Sequence, residues 1–119
     1  MIKGVHTMFY SSDAAGLRIF LREMLDLKAT DVGNGWLIFD LPEADMGCHP
    51  SDPTGQQGRH SGTTDICFYC DDLQKTVDSL KAKGVEFKGE IEDQGYGLVT
   101  FFKVPGDFYI QLYQPLYNK

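Results

Sequence analysis

The sequence predicts an α+β fold: two βαβββ modules in tandem, forming curved mixed sheets around a cavity, with helices on the outer faces. Three observations predict it. The stretch His6-Thr7-Met8-Phe9-Tyr10-Ser11-Ser12-Asp13 is echoed by Asp65-Ile66-Cys67-Phe68-Tyr69-Cys70-Asp71-Asp72. Each copy runs from an alternating apolar segment through acidic or hydroxyl residues into helix-period apolar spacing, the order strand, N-cap, helix. Each helix is then followed by short alternating runs separated by turn residues. A polar residue opens each copy at the same place, His6 in one and Asp65 in the other, and chemistry is sought there first.

The first strand spans Ile2 to Tyr10, with Val5, Thr7 and Phe9 on one face and His6, Met8 and Tyr10 on the other. Ser12 or Asp13 can accept hydrogen bonds from the free amides that begin the next helix. There Leu17, Phe20, Leu21, Met24 and Leu25 recur at amphipathic spacing, with Arg18, Arg22 and Glu23 on the wet side. A strand follows near Lys28 to Val32, then a turn at Gly33-Asn34-Gly35, whose last two residues tolerate positive φ. Trp36 to Leu41 forms the third strand, and a short fourth covers Ala44 to His49 after Pro42.

Pro50 to Gly62 has little apolar content and no periodicity, which marks it as both a linker between the copies and a flap over a site. The module boundaries are therefore about 1–50 and about 63–115, with the flap at 51–62, in one domain. In the second copy Asp71 or Asp72 caps a helix carrying Leu73, Val77 and Leu80. Lys81 and Lys83 suit its C-terminal dipole, and Gly84 is its C′ residue. Val85 to Glu90, Leu98 to Val104 and Asp107 to Tyr113 are the remaining strands, joined by turns at residues 93–97 and 105–107.

Each four-stranded sheet has one face covered by its helix, and strand phase decides what the other face presents. Phe9 and Phe68 belong to the helix-facing phase. His6, Met8, Tyr10, Asp65, Cys67 and Tyr69 are left for the concave side.

The totals restrict the classes of function. A chain of 119 residues with 42% hydrophobic and 13% aromatic content can bury one core. Its apolar runs fall well short of the roughly 20 residues of a membrane span, and its N-terminus lacks a secretion-signal pattern, so a cytoplasmic protein is expected. A formal charge of −6 argues against nucleic-acid and anionic-membrane surfaces. The three cysteines, Cys48, Cys67 and Cys70, give no disulfide framework. Cys67 and Cys70 lie three apart on a strand and point to opposite faces, so they read as reduced thiols and not as a chelating pair.

With these elements in place, the chain resembles the vicinal oxygen chelate superfamily, which contains glyoxalase I, extradiol dioxygenases and bleomycin-resistance proteins. The resemblance rests on the paired modules, the opening strand with His6 and the Phe68-Tyr69-Cys70-Asp71-Asp72 junction. It also rests on the Lys83-Gly84-Val85 helix ending and the Pro105-Gly106-Asp107-Phe108-Tyr109-Ile110-Gln111-Leu112 finish. In the enzymes of that superfamily a divalent metal is held by residues from the first and last strands of each module. Carried over by position, the resemblance implies His6, Asp65 and Gln111, with Cys48 or His49 from the fourth strand. His49 is chosen because it shares strand parity with Asp45 and Gly47 and is the commoner ligand type.

Two imidazoles, a carboxylate and an amide oxygen would suit Zn, Ni, Mn or Fe(II) and leave positions for a substrate with two adjacent oxygens. Such an ion could polarise an enediolate or activate O₂ beside a catecholate. The set departs from the family pattern, since Gln111 stands where Glu is usual, Asp65 is shorter than the customary ligands, and no separate base is present.

Tyr10, Tyr69, Tyr109 and Tyr113 fall on the same strand parity as the polar candidates, as suits a cavity that stacks flat ligands. Arg59, in the flap, could clamp a ligand anion, and His60 reads as a solvated loop residue. Two functions are thus expected: a metal-dependent lyase, isomerase or dioxygenase acting on a small oxygenated metabolite, or a metal-free protein that sequesters a drug or metabolite. In either case the resemblance implies a homodimer, because open sheet edges and concave faces are commonly buried against a second copy.

Overall fold

The computed structural model describes residues 1, 3, 5–41, 43–52, 54 and 59–118. Ile2 and Gly4 of the expected first strand, Pro42 before the expected fourth, and residues 53 and 55–58 of the flap lie outside the described residues. The elements run α1 (Ala14–Glu23), β1 (Ala29–Asp31), β2 (Leu37–Phe39), β3 (Cys67–Tyr69), α2 (Leu73–Ala82), β4 (Phe87–Asp93), β5 (Gly97–Val104) and β6 (Phe108–Pro115). This is an α+β fold with a two-stranded sheet, β1-β2, and a four-stranded mixed sheet of order β3-β6-β5-β4. No helix among the described residues is long and apolar enough to cross a membrane.

The second half forms the βαβββ unit its periodicity predicts. β5 and β6 pair antiparallel along their whole length, from Gly97 opposite Pro115 to Val104 opposite Phe108. Their turn is possible because Gly106 and Asp107 accept φ of 101° and 61°. β3 lies parallel to β6, a pairing that needs a crossover, and α2 is that crossover.

Asp72 caps α2 by accepting from the Lys75 amide at 3.1 Å, and Gly84 ends the turn at φ 93°. Another first-turn amide, that of Leu73, donates to Gln114 Oε1 at 2.8 Å and fastens the helix to β6. Leu73, Val77 and Leu80 are buried beneath it against Phe102, Val104, Ile110 and Leu112.

The first half leans on that same core. Asp13 caps α1 through the Gly16 amide at 2.9 Å, and Leu17 and Leu21 enter the cluster that holds Leu73 and Phe102. Phe20 stacks on Phe102 with centroids 6.1 Å apart. Ser11 Oγ donates to the Pro105 carbonyl at 2.8 Å and ties the start of α1 to the β5–β6 turn. At the far end Lys83 Nζ donates to the Met24 carbonyl at 3.3 Å. The β1–β2 turn forms at Gly33-Asn34-Gly35, where Asp31 accepts from the amides of Gly33 and Gly35.

Two of the eight strands expected do not form among the described residues. Residues 5–10 carry no ladder, although Phe9 packs against Phe68 and Phe108 with centroids 6.2 and 6.3 Å away. Residues 43–49 are exposed and irregular. A strand acquires its backbone hydrogen bonds only from a neighbour, and β1 and β2 spend theirs on each other.

Candidate functional site

Alternation along β6 defines the site. Ile110 and Leu112 point into the core, so Tyr109, Gln111 and Tyr113 stand on the opposite face of the sheet. The same rule applied to β3 sends Phe68 inward, where it stacks on Phe102, and leaves Cys67 and Tyr69 outward. On β5, Phe102 and Val104 are inward while Val99 and Phe101 share the outer face with Tyr113 and Gln111.

The registers sort these residues into rows that cross the sheet. One row runs Tyr69, Tyr113, Val99, Glu92, and the next runs Cys67, Gln111, Phe101, Lys88. Directly opposed side chains in a sheet start about 5 Å apart. The rows therefore make a continuous surface, aromatic in the middle and charged at its margins.

Tyr113 is its centre. Its ring meets Tyr96 with centroids 6.1 Å apart, and its hydroxyl donates to the Tyr117 hydroxyl at 2.9 Å. Desolvation, then the hydrogen bond with Tyr117, pushes the phenol of Tyr113 well above the ordinary tyrosine range. The ring fits because residue 97 is glycine, where a β-carbon would collide with the Tyr113 ring edge. Beside it, Tyr69 donates from its hydroxyl to Glu43 at 3.3 Å. Partial burial, and then the charges of Asp45 and Asp65, push the Cys67 thiol upward. At the other side Lys88 Nζ sits 5.4 Å from the Tyr109 ring centroid, a cation–π contact.

The residues expected from the sequence are distributed unevenly. Tyr69, Tyr109, Tyr113 and Gln111 share the one face. Tyr10 is 90% exposed, on the irregular N-terminal stretch. Arg59 is engaged by Asp65, its Nη2 lying 3.3 Å from the carboxylate. His6 and His49 are both exposed, and His49 Nδ1 is 2.8 Å from the Pro50 carbonyl oxygen.

Among the described residues no three His, Cys, Asp or Glu side chains gather into a group able to hold a metal ion. The set His6, His49, Asp65 and Gln111 is thus not assembled here, and its carboxylate already has a cationic partner. These donors do not fit a bound divalent ion in this arrangement. Cys67 and Cys70 diverge as their spacing requires, Cys67 to the open face and Cys70 against the core.

Phe101, Gly97 and Glu43 were not singled out in the sequence. The phase of Phe101 is readable from its alternation with Phe102. The pairing of Glu43 with Tyr69 joins segments 26 residues apart and has no local signature.

Several solved structures share this fold. An antibiotic-binding protein from Streptomyces sp. CB03234, TnmS3, superposes with a TM-score of 0.62 at 20% identity, covering 97% of this chain and 99% of that one. The lactoylglutathione lyase of Agrobacterium tumefaciens gives 0.61 at 15% identity, covering 91% and 90%. The fosfomycin resistance protein FosX of Listeria monocytogenes gives 0.58 at 17% identity, covering 100% and 96%. Comparison with curated proteins finds no sequence match. The sequence profile of the Glyoxalase/Bleomycin resistance protein/Dioxygenase superfamily matches residues 3–112, and the chain belongs to that superfamily.

Proposed function

We propose that this protein binds a flat small molecule on the Tyr69–Tyr113 face without the help of a metal ion, as a drug- or metabolite-sequestering member of its superfamily. The observation that carries this reading is the gathering of Tyr69, Tyr109, Tyr113, Gln111 and Phe101 on one sheet face, beside a carboxylate, Asp65, already paired with Arg59. Aromatic faces stack planar ligands, and the Tyr113 hydroxyl and Gln111 amide supply orienting polar groups. A neighbour that binds an antibiotic, TnmS3, has the same fold, in keeping with small-molecule binding.

A thermal-shift screen of planar aromatic compounds, run with and without EDTA, tests the reading. A ligand-induced rise in Tm that EDTA leaves unchanged supports it. A rise abolished by EDTA and restored by Ni, Mn, Zn or Fe(II) would instead support the second reading, a metal-dependent lyase, isomerase or dioxygenase using His6, His49, Asp65 and Gln111. What favours that alternative is the adjacency of Asp65 to the Cys67–Gln111 row.

The reading includes a homodimer acting in the cytoplasm. The radius of gyration, 15.5 Å, exceeds the about 13.5 Å of a compact chain this long, in keeping with open faces that a second copy would cover. Sedimentation that finds only monomer at micromolar concentration would remove the dimer.

A further inference from the structure

The tyrosine face has an end as well as a floor. Past Gly97 and Pro115, the last pair of β5 and β6, one more backbone bond continues the ladder: the Leu116 amide donates to the Tyr96 carbonyl at 2.9 Å. Tyr117 is thereby held close to the sheet, and its hydroxyl accepts from that of Tyr113 at 2.9 Å. The two residues stand four apart on nearly extended chain, so hydroxyl meets hydroxyl only if the side chains incline toward one another. Gly97 permits this, since a β-carbon there would collide with the Tyr113 ring edge. The Tyr96 ring, its centroid 6.1 Å away, braces the arrangement from the turn that precedes β5.

The other end of the same face is also occupied. Lys88 Nζ lies 5.4 Å from the centroid of the Tyr109 ring. Between these ends β6 presents Gln111 and Tyr113, with Phe101 beside Gln111 on β5. At about 3.3 Å per residue, Tyr109 to Tyr113 is about 13 Å of strand. A planar molecule lying along β6 has that length to occupy before it meets the Lys88 ammonium on one side and Tyr117 on the other.

Resting on the metal-free binding reading, we propose that Tyr117 is a specificity-determining residue of this site: it holds the Tyr113 ring in place and closes the face at one end, so that the ligand is a linear planar ring system no longer than a tricycle. Tyr113 supplies the stacking, and Tyr117 limits how far the stacked molecule reaches. The grip registers in the chemistry of Tyr113. After desolvation, the hydrogen bond with Tyr117 is the next largest cause that holds its phenol above the ordinary tyrosine range.

Phenazine and benzo[b]phenazine, neutral linear ring systems that differ by one fused ring, test this on the full chain by quenching of the protein's fluorescence. The parent should bind phenazine at least about tenfold tighter, because the longer molecule overruns an end of the face. Tyr117→Ala removes that end and should bring the two affinities within about twofold of one another, by strengthening the longer probe. Tyr117→Phe keeps the ring and loses the hydrogen bond. In it Tyr113, followed as the phenolate absorbance that Tyr113→Phe lacks, should ionise at lower pH than in the parent. Tyr117 is 49% exposed, so circular dichroism should stay at the parent values in both Tyr117 variants.

Equal or tighter binding of benzo[b]phenazine by the parent overturns the proposal, as does a size discrimination that Tyr117→Ala leaves intact, or a Tyr113 phenol that ionises alike in the parent and Tyr117→Phe. If both probes bind the parent alike and Tyr113→Leu weakens both, the end wall is wrong while the binding face stands. If neither probe binds, the proposal falls, and the reading beneath it falls too if the wider planar screen is also silent.

Discussion

The two halves of the chain carry similar sequence patterns and end differently. Residues 67–115 build a complete four-stranded sheet with its helix. The corresponding early stretch yields a helix and an isolated two-stranded hairpin, with residues 5–10 and 43–49 outside any ladder. The difference follows from where the buried surface lies. Phe102 and Leu73, both fully buried, belong to the second half, and α1 of the first half docks on the same cluster. A repeated pattern of strand and helix periods therefore does not make two equal units. The half that closes its own sheet becomes the platform for the other.

The largest effect should come from the platform itself. Phe102 touches Phe20, Phe68 and Phe87 at centroid separations of 6.1 to 6.4 Å, so it joins α1, β3 and β4. Phe102→Ala should cost about 3–5 kcal/mol in denaturant unfolding. Amide exchange of α1 should rise along with that of the sheet. Protection surviving in α1 alone would break the picture of a dependent first half.

Leu17→Ala, in α1, should cost about 2–3 kcal/mol of global stability, because Leu17 sits in the shared core. Were α1 merely appended, the same substitution would accelerate exchange within α1 and leave the global midpoint where it was. The caps sharpen the comparison further. Asp13→Ala and Asp72→Ala should each cost about 1 kcal/mol, and equal losses mean that both helices unfold with the core. A smaller loss at Asp13 would indicate that α1 opens by itself.

The smallest effect is on alkaline stability. The Cys67 and Cys70 thiols lie above their ordinary value of 9.0, and the Tyr113 phenol lies above its 10.0, partial burial being the leading cause in each case. A raised folded value means that the native state holds the proton more tightly. The stabilisation is fully present below the unfolded value and is lost as pH rises through the folded one. Tm should therefore decline above about pH 9, and Cys67→Ser should soften the first part of that decline. A Tm independent of pH through this range would contradict the assignment.

Much of this was legible in the sequence because it is written locally. Asp13 and Asp72 cap helices, Gly84 and Gly106 take positive φ, and Gly33-Asn34-Gly35 turns a hairpin, each through residues within a few positions. The shared face of Tyr69, Tyr109 and Tyr113 follows from strand parity. Strand formation at 5–10 was not legible, because a run such as Val5 to Phe9 alternates whether or not a neighbour offers it a ladder. The link from Glu43 to Tyr69 and the capture of Asp65 by Arg59 depend on how irregular segments lie, and periodicity does not reach them. The four-donor set His6, His49, Asp65 and Gln111 was carried over by position, and three of its members stand on segments that are irregular in the structure.

The absence of a side chain at residue 97 matters to the tyrosine surface, because the edge of the Tyr113 ring on β6 occupies the space beside β5 that a β-carbon there would need. A single added methyl would collide with that ring and oblige it to move. The shape offered to a planar guest is thus adjustable by one carbon, at a position that need never touch the guest.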